Sequence, residues 1–278
     1  MAEMVEVPTN PNYIQNALVM EILQKHMENF DWHGEQVVLD ADCGTGEITQ
    51  TILFPLLPKD ATLIGFEKSR ELFDYCNKYK TEQRLSFKNV DVRHIDLFLS
   101  WECNYFTKIF SFNSSLWMQS LRRSLYNMHA IMKNDSDILL IFLTPDNPMN
   151  RAFENVKRRA LWERLFSNRT WFYQTNDPVN FIRKLLNEIG FNHVYCYLKE
   201  TSTVFPSWEA YLELIDAVNP YLPGLPRHHI KDCMMSIRDF IKYDNKIRQD
   251  PETGEITVRY SVVVAVAKKK EEKEEKKN

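Results

Sequence analysis

The sequence predicts an α/β protein, a doubly wound and mainly parallel seven-stranded sheet with helices on both faces. Three observations carry that expectation. Short β-branched runs alternate with amphipathic segments through the first half, at the pace of βαβ units. A loop with two closely spaced glycines follows the first strand directly, the device by which α/β folds bring backbone N–H groups up to a ligand. The composition is that of a folded domain: 278 residues, 44% apolar and 26% charged, with aromatic residues at 13% and only 7 glycines.

The elements follow in order. Over Tyr13–Phe30, the residues Ile14, Leu18, Val19, Ile22, Leu23 and Met27 recur at three and four, so a helix is expected. Gln36–Asp40 is a short β-branched strand, followed by the loop Ala41–Gly46. Glu47–Leu57 reads as a helix stopped by Pro58, Ala61–Phe66 as a second strand and Ser69–Tyr79 as a helix. Leu85–Val92, Phe106–Phe112 and Asp137–Leu143 are the third, fourth and fifth strands, with a helix over Leu116–Met132. In the second half, Asn147–Phe166 reads as helical, and Pro178–Ile189 as a helix that Gly190 closes. Phe191–Lys199 and Thr257–Ala267 are the last two strands. Between them lie two helices, Trp208–Val218 and Arg227–Tyr243, joined by the Pro-rich corner NPYLPGLP; Gly254 marks a turn before the final strand. The tail Lys268–Asn278, with six Lys and four Glu, is expected to be solvated and disordered.

Charge and composition exclude several classes. A net charge of −3 gives no basic field for nucleic acid. The longest apolar runs, Ile138–Leu143 and Val262–Ala267, are far short of the roughly 18 residues a membrane span needs. The N-terminal stretch lacks the basic start and apolar core of a secretory signal. Five widely spaced cysteines with no CxxC pair fit neither a disulfide framework nor a structural zinc site, so a reduced, cytoplasmic protein is expected and no metal. Phosphate-loop, HExxH and GxSxG motifs are absent.

The most informative stretch is VVLDADCGTGEIT, Val37–Thr49. Its first strand ends on an acid, Asp40. Gly44 and Gly46, lacking a Cβ, allow a ligand to approach the backbone. Glu67 stands 21 residues after Gly46 at the end of the second strand, where an acid can accept both hydroxyls of a ribose. Asp91 stands at the end of the third. Helix N-capping accounts for Glu67 and Asp91 as well.

This stretch resembles motif I of the class I S-adenosylmethionine-dependent methyltransferases. The resemblance implies that Asp40, Asp42, Cys43, Gly44 and Gly46 surround the methionine end of the cofactor and that Glu67 holds its ribose. It further implies that Asp91 and Val92 meet the adenine, that Asn113 completes the site, and that the last strand is antiparallel. Asp42 departs from the pattern, standing where the family usually has glycine. Next to Asp40, a second buried carboxylate is costly unless paired. Either a positive group of the cofactor pairs it, or the site is weakened.

Nearly the whole chain is also similar to the insect juvenile hormone acid methyltransferases. The carrying pieces are Gln15, SFNSSLWMQSLRRSLYNMHAIMK (Ser111–Lys133), ILLIFLTPDNP (Ile138–Pro148), DPVNFIRKLLNEIGF (Asp177–Phe191) and AVNPYLPGLP (Ala217–Pro226). The likeness implies a single methyltransferase domain over 1–267, with helical insertions at about 147–176 and 207–243 capping a substrate pocket. It implies that Gln15 and Trp117 engage the acceptor carboxylate; Leu116 stands where many relatives have His. The expected reaction is methyl-esterification of an apolar isoprenoid acid of the farnesoic acid or juvenile hormone acid type, with no nucleic-acid partner. Met149–Phe166, Trp171–Tyr173 and Tyr211–Tyr221 carry side chains that could line such a pocket, at roughly 0.8 kcal/mol per buried CH₂; ordinary core packing explains them equally. A lipid-acid binder without transfer, and a methyltransferase for another small acid or hydroxyl, are the alternatives.

Overall fold

The computed structural model describes residues 13–94, 97–112, 120–159, 162–163, 166, 175–219, 222 and 225–270. The chain divides into two compact units. A sheet unit comprises Leu18–Leu143, Thr175–Lys199 and Val263–Asn278, and a helical unit comprises Met1–Ala17, Thr144–Gln174 and Glu200–Val262. Among the described residues, no helix is long and apolar enough to cross a membrane.

The strands are β1 (Val37–Ala41), β2 (Thr62–Phe66), β3 (Leu85–Lys88), β4 (Phe106–Phe112), β5 (Met132–Leu143), β6 (Phe191–Phe205), β7 (Ile247–Gln249) and β8 (Ile256–Lys269). Their order is β3-β2-β1-β4-β5-β8-β6, with β7 paired to β8. The first five are parallel, and the C-terminal strands include antiparallel pairing. β1 is buried at every position and β4 at all but Thr107, as expected for strands covered on both faces. Lys108 is the exception in chemistry: its Nζ lies 3.2 Å from Asp137, its register partner on β5, and both side chains are almost fully buried.

In this order β1 lies between β2 and β4, where the chain changes direction across the sheet. The carboxyl ends of β1, β2 and β3 adjoin, since Asp40 registers with Gly65, and Gly65 with Phe87. Open α/β sheets take ligands at this edge.

The helices of the sheet unit start or stop for local reasons. α1 (Tyr13–His26) ends in a single 3₁₀ turn before Phe30 turns extended. After the glycine loop, a π-helical segment (Thr49–Leu53) runs into α2 (Phe54–Leu56). The expected helix over Glu47–Leu57 is thus present but wider: the Phe54 N–H reaches back five residues to Thr49, and Pro55 has no N–H to offer. Ser69 caps α3 (Arg70–Tyr79) through its hydroxyl. α4 (Leu97–Ser100) is short, and α5 (Leu121–Ile131) begins after Ser120, while 113–119 lie outside the described residues. Gly190 closes the helix over Pro178–Ile189 in the left-handed conformation expected of it.

In the helical unit, Asn147 caps α6 (Pro148–Lys157). The sheet-unit helix α7 (Pro178–Ile189) then precedes α8 (Trp208–Ala217) and α9 (Arg227–Lys242). Five expectations are corrected. β3 stops at Lys88, because Asn89 turns its amide onto the Glu67 and Lys68 carbonyls; Asp91 therefore sits in a loop, beyond the strand. β5 starts at Met132 rather than Asp137, with an irregularity opposite Phe106–Lys108. β6 continues to Phe205. An eighth strand, β7, forms a hairpin with β8 as Asp250 accepts from Glu252 and Thr253 and its N–H bonds Glu255. Lys268 and Lys269, assigned to the charged tail, complete β8. Lys269 is buried, its ammonium held by Asn104 and the Met132 carbonyl.

Candidate cofactor site

The loop after β1 is built by positive backbone angles. Asp42, Gly44 and Gly46 have φ of 64°, 59° and 71°. At Gly46 a Cβ would stand 2.8 Å from the Phe87 ring and 3.0 Å from Cys76 Sγ, so glycine is required by space as well as by φ. At Gly44 a Cβ would meet nothing within 4 Å; the backbone there faces open space. Asp42 holds a left-handed φ that costs a non-glycine residue about 1–2 kcal/mol.

Side chains fasten this loop to β2. The Cys43 N–H donates to Phe66 O at 2.9 Å. Glu67 is 2% exposed; its Oε2 accepts from Gly44 N–H at 2.9 Å and its Oε1 from Ser69 N–H at 2.7 Å. Glu67 therefore positions the glycine loop and the start of α3, and each carboxylate oxygen keeps only its remaining lone pairs for a ligand. Cys76 Sγ reaches the Gly44 carbonyl at 3.3 Å.

Asp40 is 1% exposed. Its Oδ2 accepts from the Thr49 hydroxyl at 2.6 Å, and its Oδ1 is buried with no hydrogen-bond partner among the described residues. Burial pushes its carboxyl up to about 7, helped by the negative charges of Asp42 and Glu67. Burial, then Asp42, also raises Glu67 to about 7. Three carboxylates thus share one poorly solvated loop, and a buried acceptor waits for a donor. Positive charge nearby is limited: Lys68 feels Asp42, Asp91 and Glu67, and burial lowers its own pKa.

Asp91 is held by Arg93, whose Nε lies 2.8 Å from Oδ1 and 3.0 Å from Oδ2. These hydrogen bonds outweigh partial burial and keep its carboxyl below the ordinary range. Val92 is buried, and Asn127 donates to its carbonyl at 2.8 Å. The structure therefore brings Asp40, Asp42, Cys43, Gly44, Gly46 and Glu67 together, and holds Asp91 in an ion pair with Arg93, coupled to the cluster through the charges of Lys68 and Arg93. Gln15 is on α1, with its side chain outside what is described; Asn113 and Trp117 lie outside the described residues. Sequence reasoning missed Thr49, Ser69, Arg93 and Cys76. Thr49 was legible in principle, as a hydroxyl one turn into the helix that follows the loop. Among the described residues, no group of three His, Cys, Asp or Glu could hold a metal ion.

No family model matches the chain. It is similar to the juvenile hormone acid O-methyltransferase of Bombyx mori, 24% identical over 271 residues that cover 93% of this chain and 94% of the relative. It is similar to the enzyme of that name from Drosophila melanogaster, again 24% identical, with 93% and 89% covered. Among solved structures, it superposes on the YcgJ protein of Bacillus subtilis with a TM-score of 0.60 at 12% identity, covering 93% and 99% of the two chains. Haemonchus contortus phosphoethanolamine N-methyltransferase 2, solved in complex with S-adenosyl-L-methionine, gives 0.52 at 12% identity, covering 93% and 53%. The chain carries the class I methyltransferase fold. The resemblance read from its motifs, including that to the juvenile hormone acid methyltransferases, is borne out.

Proposed function

We propose that this S-adenosylmethionine-dependent methyltransferase esterifies the carboxylate of an apolar isoprenoid acid, of the farnesoic acid or juvenile hormone acid type. The similarity over 93% of the chain to two enzymes named for juvenile hormone acid supports the acceptor class. The observation that carries the cofactor is the buried, unpartnered Asp40 Oδ1 beside Asp42 and Glu67, one face of a loop whose Gly44 backbone is open. The donor set fits. A ligand that carries an ammonium, a sulfonium and hydroxyls supplies the positive charge and donors this loop lacks.

When bound, S-adenosylmethionine supplies an electrophilic methyl group carried on a sulfonium. Asp40 and Asp42 would offer negative charge to the cofactor's positive end, Glu67 would take ribose hydroxyls on its remaining lone pairs, and Gly44 would let the backbone approach. An acceptor carboxylic acid, with a pKa of roughly 4–5, is ionised at neutral pH and needs no general base. Gln15 and Trp117 would orient it with neutral N–H donors that do not quench its charge. Catalysis by positioning of this kind is worth on the order of 7–11 kcal/mol.

The test is transfer of a radiolabelled methyl group to farnesoic acid. Methyl ester should form with a kcat nearly flat from about pH 6 to 9 at saturating ligands. Trp117→Phe should lower kcat more than it raises the KM for acid. A steep rise of kcat with pH would point to a hydroxyl acceptor and a general base.

One observation favours a second reading, a binder of lipid-like acids without transfer. Both oxygens of Glu67 already accept from the loop backbone, and Asp91 is held by Arg93. Both ligands bound with no ester formed would select it.

A further inference from the structure

The helical unit contains a second polar site, independent of the proposed reaction. A cavity of about 280 Å³ is lined by Pro145, Asn150, Arg151, Glu154, Asn155, Arg158 and Phe240. Four of these, Asn150, Arg151, Glu154 and Asn155, lie on α6 at spacings of one, four and five residues from Asn150, and Arg158 caps the end of the helix eight residues on. Three of them present buried polar atoms with no hydrogen-bond partner among the described residues: Asn150 Oδ1, Arg151 Nε and Glu154 Oε1.

Each is aimed by its other contacts. Asn150 is 1% exposed, and its amide N–H₂ donates to the Thr144 carbonyl at 2.9 Å, so the atom left over is the acceptor. Arg151 donates from Nη2 to the Asp244 carboxylate (2.6 Å) and holds Nη1 3.4 Å from Asp146, while its buried Nε–H has no partner among the described residues. Glu154 forms no ion pair among the described residues, although Arg151 and Arg158 flank it one turn away on either side. Buried polar atoms in folded proteins are almost always satisfied, so three at one cavity indicate an occupant. With Arg151 neutralised by its two aspartates, the remaining charges are Glu154 and Arg158, one of each sign.

We propose that this cavity binds a small zwitterion of the α-amino acid class. Asn150 Oδ1 and Glu154 Oε1 accept from its ammonium, and Arg151 Nε–H and the Arg158 guanidinium donate to its carboxylate. Water alone is the competing occupant, since about 30 Å³ per molecule leaves room for several.

Equilibrium dialysis of the full chain against radiolabelled glycine tests this, with methylamine and acetate as competitors that each carry half of the recognition. Glycine should be retained saturably at one per chain. Each half-ligand should compete only at about tenfold higher concentration or more, and Glu154→Gln and Arg158→Ala should each weaken retention about tenfold. Both positions are at least partly exposed, so the variants should keep the wild-type far-ultraviolet dichroism. No retention of glycine, competition by methylamine as strong as that by glycine itself, or equal retention by both folded variants overturns the proposal and leaves a water-filled cavity.

Discussion

Replacing Asp40 by Asn separates the cost of a buried carboxylate from its use. Asp40 has a pKa near 7 in the folded chain against 3.8 ordinarily, because it is buried beside Asp42 and Glu67 with one oxygen unpartnered. A group whose pKa is raised by folding gives its full stability below the unfolded value. That stability is lost as pH climbs through the folded value and is then level above it. A rise of roughly three pH units amounts to about 4 kcal/mol of stability lost between about pH 4 and 7. Asn is neutral at every pH, and its carbonyl can still accept from Thr49. Its amide N–H₂ goes unmatched, at about 1–3 kcal/mol. Asp40→Asn should therefore be about 1–3 kcal/mol more stable than wild type at about pH 8 and about as much less stable at about pH 4. It should also bind S-adenosylmethionine at least tenfold more weakly, for want of a charged acceptor worth about 1.5–3 kcal/mol. Urea unfolding followed by tryptophan fluorescence at the two pH values measures the first part, and calorimetry the second. A variant that keeps the wild-type dependence on pH would show that Asp40 is ionised without cost, and the electrostatic account of the loop would fail.

Glu67→Ala strips the acceptor from Gly44 and Ser69, so binding of S-adenosylmethionine and of S-adenosylhomocysteine should both weaken tenfold or more by calorimetry, at about 1–3 kcal/mol per orphaned N–H. Asp42→Gly relieves a left-handed φ and should stabilise the chain by about 1 kcal/mol in urea. The same change should weaken S-adenosylmethionine and S-adenosylhomocysteine, which share the ammonium, and S-adenosylmethionine more if the sulfonium is also paired; tighter binding of both would show that the Asp42 side chain only crowds the loop. Gly46→Ala drives a Cβ into Phe87 and Cys76 at a φ of 71°, and should cost about 2–4 kcal/mol by the same measurement.

The parallel half of the sheet was legible because its strands are buried on both faces and read as short β-branched runs set off by turn residues. The glycine loop was legible for the same kind of reason: Gly44 and Gly46 stand where only glycine fits or where approach is needed. What escaped notice was held by polar contacts. Met132 reads as the end of a helix and Lys133–Ser136 as loop, because Lys133, Asn134 and Asp135 carry no apolar alternation, yet β5 begins at Met132. β7 has a single aliphatic residue, Ile247, and exists because the Asp250 turn folds it onto β8. Lys269 reads as tail by its charge, but its ammonium finds two oxygens at the strand end. In the site, the residue types were right and their partners were not. Glu67 and Asp91 read as ligands for a cofactor or as helix caps; Glu67 does accept at the start of α3, from Ser69, but the sequence carries no sign that Gly44 and Arg93 also engage these acids.

The central claim is that this loop, with Asp42 in it, binds S-adenosylmethionine. Calorimetric titration of the cofactor into the wild-type chain at neutral and mildly acidic pH tests it most directly. The account predicts saturable binding at one per chain, weaker below about pH 7 as Asp40 and Glu67 take up protons. No heat of binding at either pH, with the chain folded, would contradict it.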